Sequence, residues 1–185
     1  EGFGLDAVSE GELITALNGG VDNSKIVFHG NNKSDSELDF AIKNKIKVVV
    51  DNHYDLERMK VISNKSEDKL EIMIRFTPGI ECHTHEYIKT GSFDSKFGFG
   101  IENLKYVFKE ISDVPNLNLV GLHAHIGSQI FELEPHKDLP KIMVNAILEA
   151  QTFGHIITEL NVGGGLGISY TLDDDPPSIE EWVKV

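Results

Sequence analysis

The sequence predicts an α/β fold and, within that class, favours a (β/α)8 TIM-type barrel that is incomplete, with about six β-α units present. Short apolar runs alternate regularly with helical patterns, which indicates parallel strands joined by right-handed crossovers. Polar candidate residues follow several different strands, as expected at the top face of a barrel: Asp6, His29, Arg75, His125 and Gly163. An open doubly wound sheet is the alternative, but no G-x-G-x-x-G motif follows the first strand.

Six apolar runs are expected to form the buried strands, because parallel strands covered on both faces have nearly continuous apolar sequences. They are Leu5–Val8, Ile26–Phe28, Lys47–Val50, Ile72–Phe76, Leu119–His123 and Glu159–Val162. Six strands do not close an eight-stranded barrel, and no linker divides the chain. We therefore expect residues 1–185 to be one part of a barrel domain.

Helices are expected between these strands. A serine followed three residues later by glutamate is a typical helix start, and the pairs Ser9/Glu12 and Ser34/Glu37 have this spacing. The predicted helices are Glu10–Leu17, Leu38–Lys43, Tyr54–Ile62, Asn103–Ile111, Lys137–Phe153 and Ser178–Val185.

Composition excludes some functions. The chain has 185 residues, 40% of them apolar, and a net charge of −13, so it can build a sizeable core and would repel nucleic-acid phosphates. No apolar run approaches the length of a membrane span, so no membrane partner is expected. Its one cysteine, Cys82, cannot form an internal disulfide, which favours a reducing cytoplasm.

Two motifs suggest a phosphorylated cofactor. The first is His123-Ala124-His125-Ile126-Gly127-Ser128-Gln129, and the second is the glycine loop Asn161–Gly167; both leave the C-terminal end of a predicted strand. Glycines lack a Cβ, so Gly163–Gly165 allow the backbone to approach an anion and donate N–H groups to it. The Ser128 hydroxyl, on a turn, is a further phosphate ligand.

The histidines allow more than one interpretation. If the strand continues through His123 and His125, both rings lie on one face. The pair could bind a metal, one ring could pack against a planar cofactor, or both could be hydrogen-bonded polar residues at the end of a strand. Ser128 favours the cofactor, since it has no role in a zinc site. His83-Thr84-His85 is expected to be a solvated loop, and Asp94–Gly98 a turn.

Arg75 ends an otherwise apolar strand. A buried guanidinium needs an acidic partner, and Asp6 on an earlier strand is a candidate.

The order and spacing of several segments closely resemble the bacterial diaminopimelate decarboxylases, and the resemblance covers essentially the whole chain. The segments are Gly4–Leu13, His29–Ser34, Thr77–Ile88, Ser95–Gly98, His123–Ile130 and the glycine loop. The His-Thr-His and Gly-Ser-Gln-Ile pieces favour this family over the ornithine and arginine decarboxylases, which share the fold and the glycine loop.

The resemblance implies a pyridoxal-phosphate enzyme of the alanine-racemase-like fold, acting as a homodimer, that converts meso-diaminopimelate to L-lysine and CO2. It implies no metal. It also implies roles for particular residues: His125 against the cofactor ring as the catalytic candidate, Ser128 and the amides of Gly163, Gly164 and Gly165 on the phosphate, and Asp6 and Arg75 in support.

Parts of the family pattern have no counterpart here. The lysine that binds the cofactor covalently, in a Tyr-Ala-x-Lys-Ala-Asn context, would precede the first strand, and the Glu-Pro-Gly-Arg segment and C-terminal β domain would follow. We therefore expect an interior barrel fragment that does not turn over substrate alone. The alternatives are a non-catalytic regulatory paralogue, a metal-dependent barrel hydrolase using His123 and His125, or a decarboxylase of another basic amino acid.

Overall fold

A computed structural model describes residues 3–80 and 96–185. The described strands are β1 Leu5–Ala7, β2 Ile26–Phe28, β3 Lys47–Val50, β4 Leu70–Thr77, β5 Phe99–Gly100, β6 Leu117–His123 and β7 Glu159–Asn161. The described helices are α1 Glu10–Asn18, α2 Asp35–Lys43, α3 His53–Ser63, α4 Leu104–Ser112, α5 Glu134–Thr152 and α6 Ile179–Val183.

The strands form one parallel sheet in the order β1-β2-β3-β4-β6-β7, with β5 paired to β4. A doubly wound sheet would reverse its strand order at a switch point, whereas this order follows the chain throughout. The incomplete α/β barrel is therefore confirmed. All six predicted strands are present, and β4 and β6 each begin two residues earlier than expected. The two-residue strand β5 was not predicted.

The sheet curves far enough for non-neighbouring strands to touch. Lys47 on β3 donates from Nζ to Glu159 Oε1 on β7 at 2.6 Å and to the Ser24 carbonyl at 2.9 Å. β3 and β7 are separated in the sheet by β4 and β6, so this ion pair crosses the interior at the N-terminal ends of the strands. A flat sheet could not make that contact.

The six predicted helices are also present, with shifted ends. Ser9 accepts from the Glu12 N–H, and Ser34 and Glu37 form a reciprocal capping box, as their spacing predicts. Helix α5 begins at Glu134, three residues earlier than expected, because Pro135 suits a first helical turn. Helix α6 is shorter than predicted.

Apolar faces of the helices pack on the sheet, and all four residues of β3 are buried. In the described ranges no helix has the length and apolar character needed to cross a membrane. Cys82 and the predicted loop His83-Thr84-His85 lie outside the described residues, as do the first two residues of the predicted turn Asp94–Gly98.

Candidate functional site

Three polar side chains meet at the C-terminal ends of β1, β2 and β7. Asp6 on β1 lies 3.2 Å from Nε2 of His29, which follows β2, and it accepts two hydrogen bonds from Asn161 Nδ2 on β7, at 3.1 and 3.0 Å. The hydrogen bond from His29 is the main reason that the pKa of Asp6 is lowered, and Asn161 adds to it. The network joins both edges of the sheet at the barrel mouth.

His123 ends β6 beside this network. Its Nδ1 is 3.1 Å from the Asn161 carbonyl oxygen, which can only accept, so Nδ1 carries the proton. Its ring packs edge-on against His29 with centroids 4.6 Å apart. Burial lowers the pKa of His123 to about 4, and the charges of His29 and Arg75 add to the effect. The ring is therefore neutral at neutral pH.

This gives a prediction about acid stability. Because the pKa of His123 falls from 6.5 to about 4 on folding, protons bind the unfolded chain more tightly. The free energy of unfolding should therefore fall as pH drops from about 6.5 to about 4, by about 3 kcal/mol from this group. Urea unfolding at several pH values measures this slope. A His123→Asn variant should have a shallower slope, and an unchanged slope would contradict the assignment.

Arg75 does not pair with Asp6, so that part of the sequence prediction is wrong. Its Nη1 lies 3.4 Å from Asp51 Oδ1, and its guanidinium stacks over the Phe97 ring at 4.8 Å. Asp51 follows β3, the direct neighbour of β4, whereas Asp6 is three strands away and bound to His29 and Asn161. The sequence signal for Asp51 was its place directly after a buried strand.

His125 meets the glycine loop, as the two motifs suggested. Because β6 ends at His123, His125 lies in the following loop, so the condition for two rings on one strand face is not met. The Gly164 N–H donates to His125 Nδ1 at 3.4 Å, and a Cβ on Gly163 would lie 2.7 Å from the same atom. Burial lowers the pKa of His125, helped by the charges of Arg75 and His29.

The loops after β6 and β7 are held together along their length. Ile130 N–H donates to the Gly165 carbonyl at 2.8 Å, and Gly167 N–H donates to the Ile130 carbonyl at 2.9 Å. The Gln129 side chain bonds both backbone groups of Ile168. This pairing fixes the position of Ser128, which lies between Gly127 and Gln129.

The glycine loop presents donors suited to an anion. Gly163 N–H is already bonded to Asn161 Oδ1 at 2.9 Å, but within the described residues the N–H groups of Gly165 and Leu166 form no hydrogen bond. Ser128 is exposed, and its hydroxyl has no partner in the same ranges. Among the described residues, a Cβ on Gly164 would meet nothing within 4 Å. These features fit a phosphate with room beside it for a ring against His125.

Sequence reasoning did not find the Leu166 amide, because glycines are the sequence signal for an exposed backbone donor and position 166 is a leucine. It also missed Asn161, which precedes the glycines and binds both Asp6 and Gly163.

The metal-site alternative receives no support from the described part of the chain. There, no group of three His, Cys, Asp or Glu residues could hold a metal ion. The Nδ1 atom of His123 is hydrogen-bonded to the Asn161 carbonyl, and the Nδ1 atom of His125 accepts from the Gly164 N–H. The two Nδ1 atoms therefore bind different groups.

Comparisons with known proteins identify the family of the chain. Residues 1–185 match the family described as "Pyridoxal-dependent decarboxylase, pyridoxal binding domain". The chain is 53% identical to a diaminopimelate decarboxylase of Synechocystis sp., over 100% of this chain and 41% of that protein. It is 39% identical to a diaminopimelate decarboxylase of Bacillus subtilis, over 100% of this chain and 43% of that protein.

Solved structures are also similar. The diaminopimelate decarboxylase of Helicobacter pylori, complexed with L-lysine, has a TM-score of 0.89 and 32% identity, over 98% of this chain and 46% of that one. An arginine decarboxylase of Paramecium bursaria Chlorella virus, at 20% identity and a TM-score of 0.75, shares the fold.

The chain thus spans less than half the length of these relatives. The family match extends over all its residues. The chain therefore belongs to the pyridoxal-dependent decarboxylase family and matches its pyridoxal-binding domain.

Proposed function

We propose that this chain is the pyridoxal-phosphate-binding part of an enzyme that decarboxylates meso-diaminopimelate to L-lysine and CO2. The observation that carries the proposal is the glycine loop, in a chain 53% identical to a diaminopimelate decarboxylase. Within the described residues the N–H groups of Gly165 and Leu166 are unpaired, and the Gly164 N–H contacts His125. L-Lysine, the proposed product, is bound in the related Helicobacter pylori structure.

The cofactor phosphate is bound by the loops after β6 and β7. The resemblance gives this role to the amides of Gly163–Gly165. Gly165 N–H has no partner in residues 3–80 and 96–185, Gly164 N–H donates to His125 over 3.4 Å, and Gly163 N–H donates to Asn161. Leu166 N–H and the Ser128 hydroxyl complete the set of donors. Successive backbone N–H groups, helped by a hydroxyl, can hold a dianion without a lysine or arginine side chain.

His125 lies against the cofactor ring and orients it. Its lowered pKa keeps the imidazole neutral, so it packs as a flat ring instead of adding a second cation beside Arg75. When bound, pyridoxal phosphate supplies an electron-accepting ring for the charge left as CO2 departs.

Asp6 and Arg75 support these groups indirectly. Asp6 holds Asn161, whose Oδ1 in turn fixes Gly163 at the start of the loop. Arg75 opposes the protonation of His125 through its charge. Neither needs to contact the reacting atoms.

The assembled enzyme is a cytoplasmic homodimer. The resemblance supports the dimer, and the single cysteine among 185 residues suits a reducing compartment. Light scattering of the purified protein measures the subunit number, and a monomer at working concentration would contradict the dimer.

The function is tested with the complete gene product, pyridoxal phosphate and meso-diaminopimelate. We expect the cofactor to bind stoichiometrically by absorbance, and CO2 and L-lysine to form in equal amounts. L-Ornithine and L-arginine are the control substrates and should release no CO2. Release from either control alone would overturn the substrate assignment. Cofactor binding without decarboxylation of any substrate would instead indicate the regulatory paralogue.

A further inference from the structure

A buried ion pair lies next to the site without contacting it. Lys33, between β2 and α2, and Asp55, in the first turn of α3, each have side chains only 1% exposed, with Lys33 Nζ 2.6 Å from Asp55 Oδ2. Lys33 also donates to the Gly30 carbonyl at 2.5 Å. Because both charges lose their hydration, a buried ion pair often stabilises a fold less than apolar side chains of similar volume would. Stability alone therefore does not explain the pairing of Lys33 with Asp55.

Asp55 connects this pair to Asp51. Its Oδ2 atom, which binds Lys33, also accepts the Asp51 backbone N–H at 3.3 Å, and its Oδ1 accepts from Arg58 Nη2 at 2.7 Å. The Asp51 carboxylate, 2% exposed, then binds Arg75. Continuous contacts therefore run from Lys33 through Asp55 and Asp51 to Arg75.

Arg75 is held by few groups. Asp51 is its one hydrogen-bond partner within residues 3–80 and 96–185, at 3.4 Å, and the Phe97 ring covers the guanidinium. A shift of Asp51 would therefore move the Arg75 charge relative to both His123 and His125, whose pKa values Arg75 helps to lower.

We propose that Lys33 and Asp55 are positioning residues: they fix the backbone of Asp51 so that its carboxylate holds Arg75 beside the pyridoxal-phosphate site. This inference rests on the proposed function for its ligand. The proposal gives a functional role to a charged pair outside the site. A purely structural role would not depend on Asp51, whereas this role requires the effect of the pair on the cofactor to pass through Asp51.

A double-mutant cycle on cofactor affinity tests that route. Lys33→Met and Asp51→Asn should each weaken pyridoxal phosphate binding by the complete gene product about tenfold. The double variant should bind no more weakly than Asp51→Asn alone, because the route is already broken. Asp51→Asn keeps the side-chain shape, so it remains informative if Lys33→Met folds poorly.

Lys47→Met is the matched control. Lys47 is also a buried lysine with one carboxylate partner, Glu159, but it lies at the opposite ends of the strands. The Lys47→Met protein should be less stable, while its affinity for pyridoxal phosphate should change by less than about twofold. Equal losses of affinity in Lys33→Met and Lys47→Met, or additive losses in the cycle, would overturn the proposal.

A second readout needs no cofactor. In ¹⁵N NMR spectra, the Arg75 Nε–H resonance should shift in Lys33→Met and stay in place in Lys47→Met. An unmoved resonance in Lys33→Met would overturn the positioning role. If the unmodified protein binds no pyridoxal phosphate, the proposed function fails, and the resonance alone then decides the positioning role.

Discussion

Replacing His125 by alanine should weaken the binding of pyridoxal phosphate about tenfold and lower turnover with it, since a ring contact contributes about 1 kcal/mol beyond its buried area. His125 is the aromatic side chain against the glycine loop, 3.4 Å from Gly164 N. Burial and Arg75 keep it neutral, so its loss removes a flat surface but no charge. In the complete gene product, fluorescence titration with the cofactor measures the affinity, and CO2 release from meso-diaminopimelate measures turnover.

Two further variants separate the causes of that loss. His125→Phe keeps a flat ring without nitrogen atoms and should recover most of the affinity. His155→Ala is the matched control, because His155 is also half-buried but bonds the Phe108 carbonyl at 2.8 Å before β7, away from the loops. Unchanged affinity in His125→Ala, or an equal loss in His155→Ala, would contradict the placement of the cofactor ring.

The fold could be predicted because its signals are local. Each buried parallel strand is a nearly continuous apolar run, and Ser34 with Glu37 marks a helix start by spacing alone. Strand β5 escaped prediction because two residues carry no periodicity, and its pairing depends on β4, more than twenty residues earlier. Helix α5 begins three residues before its predicted start, and Pro135 in its first turn is a local signal for that earlier start.

The site could be predicted in part for the same reason. His125 and the glycines belong to loops that leave known strand ends, so their meeting follows from the topology. The partner of Arg75 could not be predicted from the topology alone, because the carboxylates of Asp6 on β1 and of Asp51 directly after β3 both lie at the barrel mouth. Which of them binds Arg75 depends on which strand is adjacent to β4. Asp51 is one strand away, and Asp6 is already bound by His29 and Asn161. Such competition is visible only in three dimensions.

Replacing Gly165 by alanine should lower the free energy of unfolding by about 2–4 kcal/mol, the range for a strained backbone combined with a steric clash. Gly165 has φ +104°, and a Cβ there would lie 2.1 Å from the Gly127 carbonyl oxygen. That oxygen belongs to the backbone of the paired loop, so the loops after β6 and β7 would have to separate. Urea unfolding measures the loss.

Gly164→Ala is the control that separates the loop's structure from its ligand. A Cβ at Gly164 meets nothing within 4 Å, so the free energy of unfolding should change by less than about 0.5 kcal/mol. The same methyl group would project into the space assigned to the cofactor, so affinity for pyridoxal phosphate should fall although stability does not. Full affinity in Gly164→Ala would place the cofactor elsewhere, and normal stability in Gly165→Ala would mean that the two loops are not in close contact. Because one variant changes stability and the other changes binding, the two adjacent glycines report on different properties of one loop.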